Sequence, residues 1–462
     1  MCDRGVTVIT IPPPTANGPL HVGHLSGPYL ASDIAARAAK ARGERVLAVA
    51  GLDIGQNFIP TMAENVGLDV EQMIARYRTE ILQAFDRGHI HYDTFVEPQT
   101  PVYRRAIAAM VSDMVARGTA PMRDMTLYRC ADCGRTLHHA YVAGTCACCG
   151  SPSSGGSCEG CGGFTSAQTL LDPYCDRCGG GAVPFTATVP VLRIDDFREQ
   201  LTAMWLRAEL PSRVRDLITH YLDAGLPEIP LAYPTNWGIE GTDPLEGMRI
   251  DVYAEVGLSW LYGTAQALDP AATTLDACVA TWQREVGELW QFHGIDNTFY
   301  FTVLWPALFA AAGLQRLPLR GLVVNEFYTL DGKKFSTSRN HAIWAHEFLA
   351  EEDPAIVRLF LAWDRPDRRA TDFTRASFEA FREQVRPLLY GRPNPVGSFP
   401  SPLVAAERAR GEQALGLVGF DPALAARTML SLLACGGEIG PILTALTGVD
   451  TDAAASVQLE AA

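Results

Sequence analysis

Residues 6–51 read VTVITIPPPTANGPLHVGHLSGPYLASDIAARAAKARGERVLAVAG. The opening VTVITIP carries the β-branched apolar residues of a strand, and the prolines and glycines of PPTANGPLHVG make a loop after it. Beyond that loop Leu25, Tyr29, Leu30 and Ile34 fall on one helical face, and Gly43 closes the run. A second apolar strand follows in RVLAVAG, residues 45–51. Strand, helix, strand in this order begins a parallel α/β sheet, whose ligands sit beyond the carboxyl ends of the strands. The proline-rich loop and GLDIGQN, residues 51–57, therefore lie at the binding edge.

The chain has 462 residues, which suggests about three packed units. Its longest apolar run, VLWPALFAAAGL from Val303, is too short to span a bilayer. The first apolar stretch runs into prolines with no cleavage-type tail, so a cytoplasmic location with no membrane partner is expected. A net charge of −14 argues against a general nucleic-acid-coating surface.

Further along, residues from about 120 to 185 are rich in Gly, Cys and Ser and lack the large apolar residues for a core of their own. Strand-like patterns return in MRIDVYAEVGL (248–258), NTFYFTVLW (297–305) and RGLVVNEFYTL (320–330), which makes the cysteine region part of an insertion between two halves of one sheet. A Gly/Pro hinge, YGRPNPVGSFPSP, precedes about sixty residues of Ala/Leu helical pattern.

Nine of the twelve cysteines lie between Cys130 and Cys178. They contain four C-x-x-C units: Cys130/Cys133, Cys146/Cys149, Cys158/Cys161 and Cys175/Cys178. Two units complete one tetrahedral S₄ site, so eight ligands imply two Zn²⁺ ions. Outer pairs together and inner pairs together would make two stacked knuckles, and the sequence alone leaves sequential pairing open. Four closed thiolates leave no open coordination position, which makes these zincs structural. Cys148 is left over.

The stretch HVGH places His21 and His24 either side of Gly23 where the first loop becomes a helix. A helix start favours phosphate, and imidazoles there can hydrogen-bond its oxygens. LDGKKFSTSRN, residues 330–340, holds Lys333 and Lys334, two of only three lysines in the chain. A mobile ammonium in a Gly/Ser/Thr loop suits the pyrophosphate of a nucleotide.

With these segments in view the chain resembles the class I aminoacyl-tRNA synthetases, specifically the methionyl-tRNA synthetase family. PPTANGPLHVGH resembles that family's HIGH-type nucleotide signature and KKFSTSR its KMSKS loop. GLDIGQ is similar to its amino-acid-binding loop, HGIDN to its ribose-binding stretch, and LAWDRPDRRATDF to its stem-contact segment. The paired cysteines, with LHHAYVAGTC between them, are similar to the family's two-zinc form.

The resemblance implies a Rossmann-type, HUP-like parallel sheet split by the zinc-knuckle insertion and followed by a short helical C-terminal domain. The implied boundaries are 1–115 and 236–330 for the two catalytic halves, 116–235 for the insertion with knuckles at about 126–184, 331–385 for the KMSKS-type and stem-contact segment, and 386–462 for the helical end. It implies ATP with Mg²⁺, an aminoacyl-adenylate, and catalysis by His21, His24, Lys334 and Lys333. ATP contacts fall on Asn17, Gly23, Gly294, Asp296, Ser336, Ser338 and Arg339. The amino-acid site falls on Pro13, Thr15, Asp53, Tyr253, Val256, Trp260, Asn297 and Phe301, with the Asp53 carboxylate pairing with the α-ammonium.

Three departures from the family pattern bear on the substrate. The second KMSKS lysine is Thr337, nearly every methionine-pocket side chain is altered, and residues 403–462 carry three arginines, no lysine and seven acids, 3 − 7 = −4. A phosphate-reading surface should be basic. The favoured expectation is therefore transfer of the activated amino acid to a small-molecule hydroxyl such as an N-hydroxylated amine, as in the synthetase-like modules of hydrazine-forming enzymes. These work with a cupin domain, which would here be a separate chain or a removed portion. The alternative is a methionine–tRNA ligase with a minimal C-terminal domain, whose partner is tRNA.

Overall fold

The computed structural model describes residues 5–336, 341–391, 400–435 and 439–449. The described residues of Met1–Asn17, Val49–Arg78 and Thr94–Leu322 form one compact unit, and those of Gly18–Ala48, Thr79–Asp93 and Val323–Ala462 a second.

The central sheet has five strands in the order Leu319–Asn325, Val286–Gly294, Val6–Thr10, Val46–Gly51 and Thr94–Val96. Val6–Thr10 runs parallel to Val286–Gly294, with Val8 opposite Leu289 and Thr10 opposite Gln291. Val46–Gly51 runs parallel to Thr94–Val96. Chain order reverses between Val6–Thr10 and Val286–Gly294, and a crevice for ligands opens at the carboxyl ends of such a pair. The sheet is indeed split: nearly two hundred residues intervene between Thr94–Val96 and Val286–Gly294, the cysteine segment among them.

Two apolar stretches expected as strands are helical. In MRIDVYAEVGL only Arg249–Ile250 is extended, and Val252–Leu268 is a helix capped by Asp251, whose side chain accepts from the N–H groups of Tyr253 and Ala254 at 3.0 and 3.2 Å. In NTFYFTVLW a short 3₁₀ turn, Ile295–Asn297, leads into a wide turn, Tyr300–Leu304, and the helix Trp305–Ala312. Both helices are buried along nearly their whole length, so neither shows a polar face, and an apolar run without alternation does not distinguish strand from buried helix. RGLVVNEFYTL does form strands, Leu319–Asn325 and Tyr328–Leu330.

The cysteine segment rides on a long antiparallel ribbon in which Met122–Cys130 pairs with Ala182–Arg193, from Cys130 opposite Ala182 to Met122 opposite Pro190. It does have a small interior, contrary to the composition-based expectation. Leu137, Tyr141, Val142, Ala167 and Leu170 pack with Cys130 and Cys175, so sulfur ligands supply part of the buried volume.

In the second unit the helical run after the first loop starts at Val22–His24, widens over Leu25–Tyr29 and continues through Leu30–Ala41. Pro28 lies in the wide turn, where Gly27 leaves helical geometry with ψ −120°. A Cβ on Gly27 would stand 3.1 Å from Asn325 Nδ2. The same unit carries the helices Pro354–Trp363, Arg375–Tyr390, Ser401–Ala414, Pro422–Ala434 and Gly440–Thr447. Buried Arg358 ties it together. Its guanidinium donates to Asp33 Oδ2 at 2.7 Å and to the carbonyls of Gly88, His89, Ala445 and Leu446 at 2.9–3.1 Å.

Candidate active site

The expected site residues divide between the two units. In the second, His21 is the N-cap of the helical run and forms a reciprocal capping box with His24. His24 N donates to His21 Nδ1 at 3.3 Å, and His21 N donates to His24 Nδ1 at 3.2 Å. Burial lowers the His24 pKa to about 4. Burial, then His24, then Lys334 hold His21 well below its ordinary value, so both rings are neutral near pH 7. Because each Nδ1 accepts a backbone proton, the ring proton of each imidazole sits on Nε2. Neither Nε2–H has a hydrogen-bond partner among the described residues. Two oriented donors result.

The rings are stacked, with centroids 3.6 Å apart, and Phe335 stacks on the other face of His21 at 4.3 Å. Gly23 permits this, since a Cβ there would sit 3.0 Å from His21 Nδ1 and 3.1 Å from Phe335 Cδ2. Phe335 follows the two lysines. These are on a short hairpin strand, Lys333–Lys334, paired with Tyr328–Leu330 through a tight turn at Asp331 (φ 50°) and Gly332 (φ 74°), where a loop was expected. Both lysines are exposed, and Lys334 Nζ lies 5.2 Å from the centre of the Phe327 ring. Ser336 bridges to His341 through two backbone bonds of 3.0 Å. Thr337, Ser338 and Arg339 lie outside the described residues.

In the first unit Asp53 is buried at the carboxyl end of Val46–Gly51. Its Oδ1 accepts from the N–H groups of Gly55 and Gln56, both at 3.1 Å, and its Oδ2 accepts from Thr15 Oγ1 at 3.3 Å. Asp53 N donates to Pro14 O at 3.0 Å and Ala16 N to Asp53 O at 3.1 Å, which ties the proline-rich loop to GLDIGQN. Burial raises the Asp53 pKa to about 7 against the opposing effect of these hydrogen bonds. Pro13 directly precedes this bridge, and Asn17 N donates to Thr15 O at 2.9 Å.

Tyr253, Val256 and Trp260 lie along the helix Val252–Leu268 at three- and four-residue spacing. Tyr253 stacks on Tyr300 with centroids 3.9 Å apart, and Phe301 stacks on buried His293 at 4.4 Å. Gly294 ends the strand Val286–Gly294, and Asp296 and Asn297 form the turn after it, where Ser157 Oγ donates to Asp296 O. That turn is at the strand reversal.

Three neighbours of this region were not singled out from sequence. Glu255 and Gln56 are buried, and buried His139 is hydrogen-bonded through Nε2 to Asp251 at 2.5 Å. Glu255 was legible as the one acid inside the apolar stretch VYAEVGL.

The eight expected cysteine ligands assemble as two clusters, Cys130, Cys133, Cys175 and Cys178 in one and Cys146, Cys149, Cys158 and Cys161 in the other. The pairing is the nested one. Within each cluster all four Sγ atoms lie within 4.8 Å of one another, with closest separations of 3.4–3.9 Å. A tetrahedron with Zn–S bonds of about 2.3 Å has edges of roughly 3.8 Å, so the thiols fit a zinc ion. Each unit is followed by glycine in the left-handed region, Gly134, Gly150, Gly162 and Gly179, whose N–H returns to the carbonyl of the first cysteine at 2.7–3.1 Å. The repeated C-x-x-C-G was therefore readable as four copies of one turn. Cys148 belongs to neither cluster.

A family model for class I tRNA synthetases (M) matches residues 7–384. The methionine–tRNA ligase of Thermomicrobium roseum is 30% identical over 378 residues, covering 79% of this chain and 63% of its own length. That of Thermococcus kodakarensis is 30% identical over 409 residues, covering 85% of this chain and 54% of its own. The chain thus spans somewhat over half the length of these curated relatives. Among solved structures, Mycobacterium tuberculosis methionyl-tRNA synthetase in complex with methionyl-adenylate superposes with a TM-score of 0.67 over 93% of this chain and 82% of that one, at 17% identity. This is a likeness of fold.

Proposed function

The chain belongs to the class I tRNA synthetase (M) family, and on that premise we propose that it activates an amino acid with ATP, forming an aminoacyl-adenylate and pyrophosphate, and transfers the aminoacyl group to a hydroxyl. The observation that carries the reading is the capping box that turns His21 and His24 into two neutral Nε2–H donors with Lys334 close enough to depress the His21 pKa. Such donors can hydrogen-bond phosphate oxygens as charge develops, while the Lys334 ammonium steadies the departing pyrophosphate. The nucleophile is the amino-acid carboxylate, which attacks the α-phosphorus. Catalysis is then positioning plus charge stabilisation, with no covalent enzyme intermediate. Mg²⁺ would accompany the ATP. The two Cys₄ clusters would hold zinc as a structural element of the cysteine segment.

The names of the relatives support tRNA as the acceptor and methionine as the amino acid, ahead of the small-molecule acceptor expected from sequence. One observation favours the second reading: residues 403–462 carry a net charge of 3 − 7 = −4, where a phosphate-reading surface should be basic. ATP–pyrophosphate exchange over the twenty amino acids tests the activation step, and no exchange with any of them rules it out. Methionine-only exchange with tRNA charging supports the ligase reading. Exchange with another amino acid, together with undetectable retention of tRNA on filters at moderate salt, supports a small-molecule acceptor and, with it, a search for a cupin partner.

A further inference from the structure

Close to Asp53 the structure presents buried side-chain oxygens that have no hydrogen-bond partner among the described residues. A carboxylate offers about four lone-pair sites. Three of those on Asp53 are taken, by Thr15 Oγ1 and by the N–H groups of Gly55 and Gln56, which leaves one. Glu255 is 3% exposed, and the only hydrogen bond to its carboxyl among the described residues is from Tyr103 OH to Oε1 at 3.4 Å. Its Oε2 is buried and has no partner among those residues, and the same holds for Gln56 Oε1. The Glu255 carboxyl feels the charge of Asp53, and Gln56 donates its backbone N–H to Asp53 while its side chain reaches the Tyr253 hydroxyl. A Cβ added to Gly55 would collide with Glu255 Oε2, and Gln56 is the residue after that glycine. Gly55 is what allows the Glu255 carboxyl to reach this loop.

Buried polar atoms are nearly always paired, and an orphan costs the desolvation of its group. The open lone pair of Asp53 and the unpartnered Glu255 Oε2 and Gln56 Oε1 suit a ligand that brings donors, and an ammonium has three N–H bonds.

We propose that Glu255 and Gln56 join Asp53 as a three-acceptor cage for the α-ammonium of the amino acid, Glu255 acting as a positioning residue for the reacting carboxylate. The inference rests on the amino-acid-activation reading and adds two residues to the single carboxylate expected from sequence. An ammonium held at three points fixes the α-carbon, and so the direction from which the carboxylate approaches phosphorus.

The electrostatics supply a readout that a merely structural Glu255 would lack. Burial, then the neighbouring Asp53, raise the Glu255 pKa to about 8, with Asp251 adding to the rise and Arg104 and Tyr103 opposing it. Asp53, near 7, is raised by burial against the hydrogen bonds from Gln56, Thr15 and Gly55. Without ligand at pH 7 Glu255 is mostly protonated. A bound ammonium favours the ionised form, so binding releases a proton to the buffer; above about pH 9 both carboxyls are already ionised and the release disappears.

The test uses the full chain, with Glu255→Gln as the variant and its melting curve as the check on folding. For every amino acid that supports exchange, Glu255→Gln is expected to raise the amino-acid KM at least tenfold and to lower kcat as well, because the carboxylate is no longer held in line with phosphorus. Calorimetry of the same amino acid binding at pH 7 in buffers of differing ionisation enthalpy is expected to show proton release from the wild type and a smaller release from the variant, in which only Asp53 remains to titrate. A KM within threefold of wild type, no proton release from the wild type, or a KM effect confined to lysine and ornithine each overturns the cage. Absence of exchange with all amino acids removes the activation reading itself and the cage with it, and is told apart by the wild type alone.

Discussion

His21 and His24 show how much of a site one hydrogen-bond pattern decides. As neutral rings with Nδ1 occupied they are donors through Nε2, and the same residues with the tautomer reversed would be acceptors, useless to a phosphate. Asparagine at 24 retains a short side-chain acceptor for the His21 N–H and lacks the distal donor. His24→Asn is expected to lower the exchange rate about 10²-fold with a melting temperature close to wild type, read by steady-state kinetics and calorimetry. Lys334→Ala should lower it about 10²-fold or more, as for loss of a contact to charge in the transition state, whereas unchanged turnover would remove the role. Glu255 yields a stability prediction of definite sign. Its folded pKa, about 8, exceeds the ordinary value of 4.5, so the folded state binds the extra proton between those limits and stability contributed by this group falls as pH rises through them. Glu255→Gln, which mimics the protonated acid, should therefore melt progressively higher than wild type between pH 5 and pH 8.5. HVGH and the paired lysines were readable as candidates, but the orphan oxygens of Glu255 and Gln56 were not, because whether a polar group is paired depends on residues distant in the chain.

The knuckle segment is the element whose local chemistry is closest to self-sufficient. Four copies of C-x-x-C-G each form one turn, with the glycine in a left-handed conformation and its N–H closing back on the first cysteine. The interior has few apolar residues besides the sulfurs, so metal binding to the clusters would be coupled to folding. Two zinc ions per chain are expected by atomic emission analysis of the purified protein, retained through dialysis and released only on unfolding; one ion or none would refute the count. Cys130→Ser should lose the outer ion and leave the inner, since the clusters share no ligand. The helix Val252–Leu268 teaches the opposite lesson. Its apolar stretch reads as a strand, and helix forms there because Asp251 caps its first turn and every side is covered.

The molecule depends on contacts that bring remote segments together inside each unit. Arg358, 2% exposed, joins the helix Leu30–Ala41, the end of residues 79–93 and the C-terminal helix Gly440–Thr447 through five acceptors. Removing it leaves Asp33 buried with Arg37, at 2.9 Å, as its one charged partner among the described residues. Arg358→Met is expected to destabilise the second unit by about 3–5 kcal/mol, measured by urea unfolding, and a change under 1 kcal/mol would count against the role. It also gives the C-terminal helix Gly440–Thr447 a structural role within the second unit. Strand–loop–helix–strand over residues 6–51, the metal-type cysteine spacing and the histidine and lysine pairs were set by local sequence, because turn chemistry, periodicity and ligand spacing act over a few residues. Which cysteine pairs cluster together, which way the imidazole protons point, that two apolar runs coil rather than extend, and that a glutamate turns inward beside Asp53 were decided by the folded chain. Each depends on burial and on partners tens to hundreds of residues away, and no short window of sequence contains them.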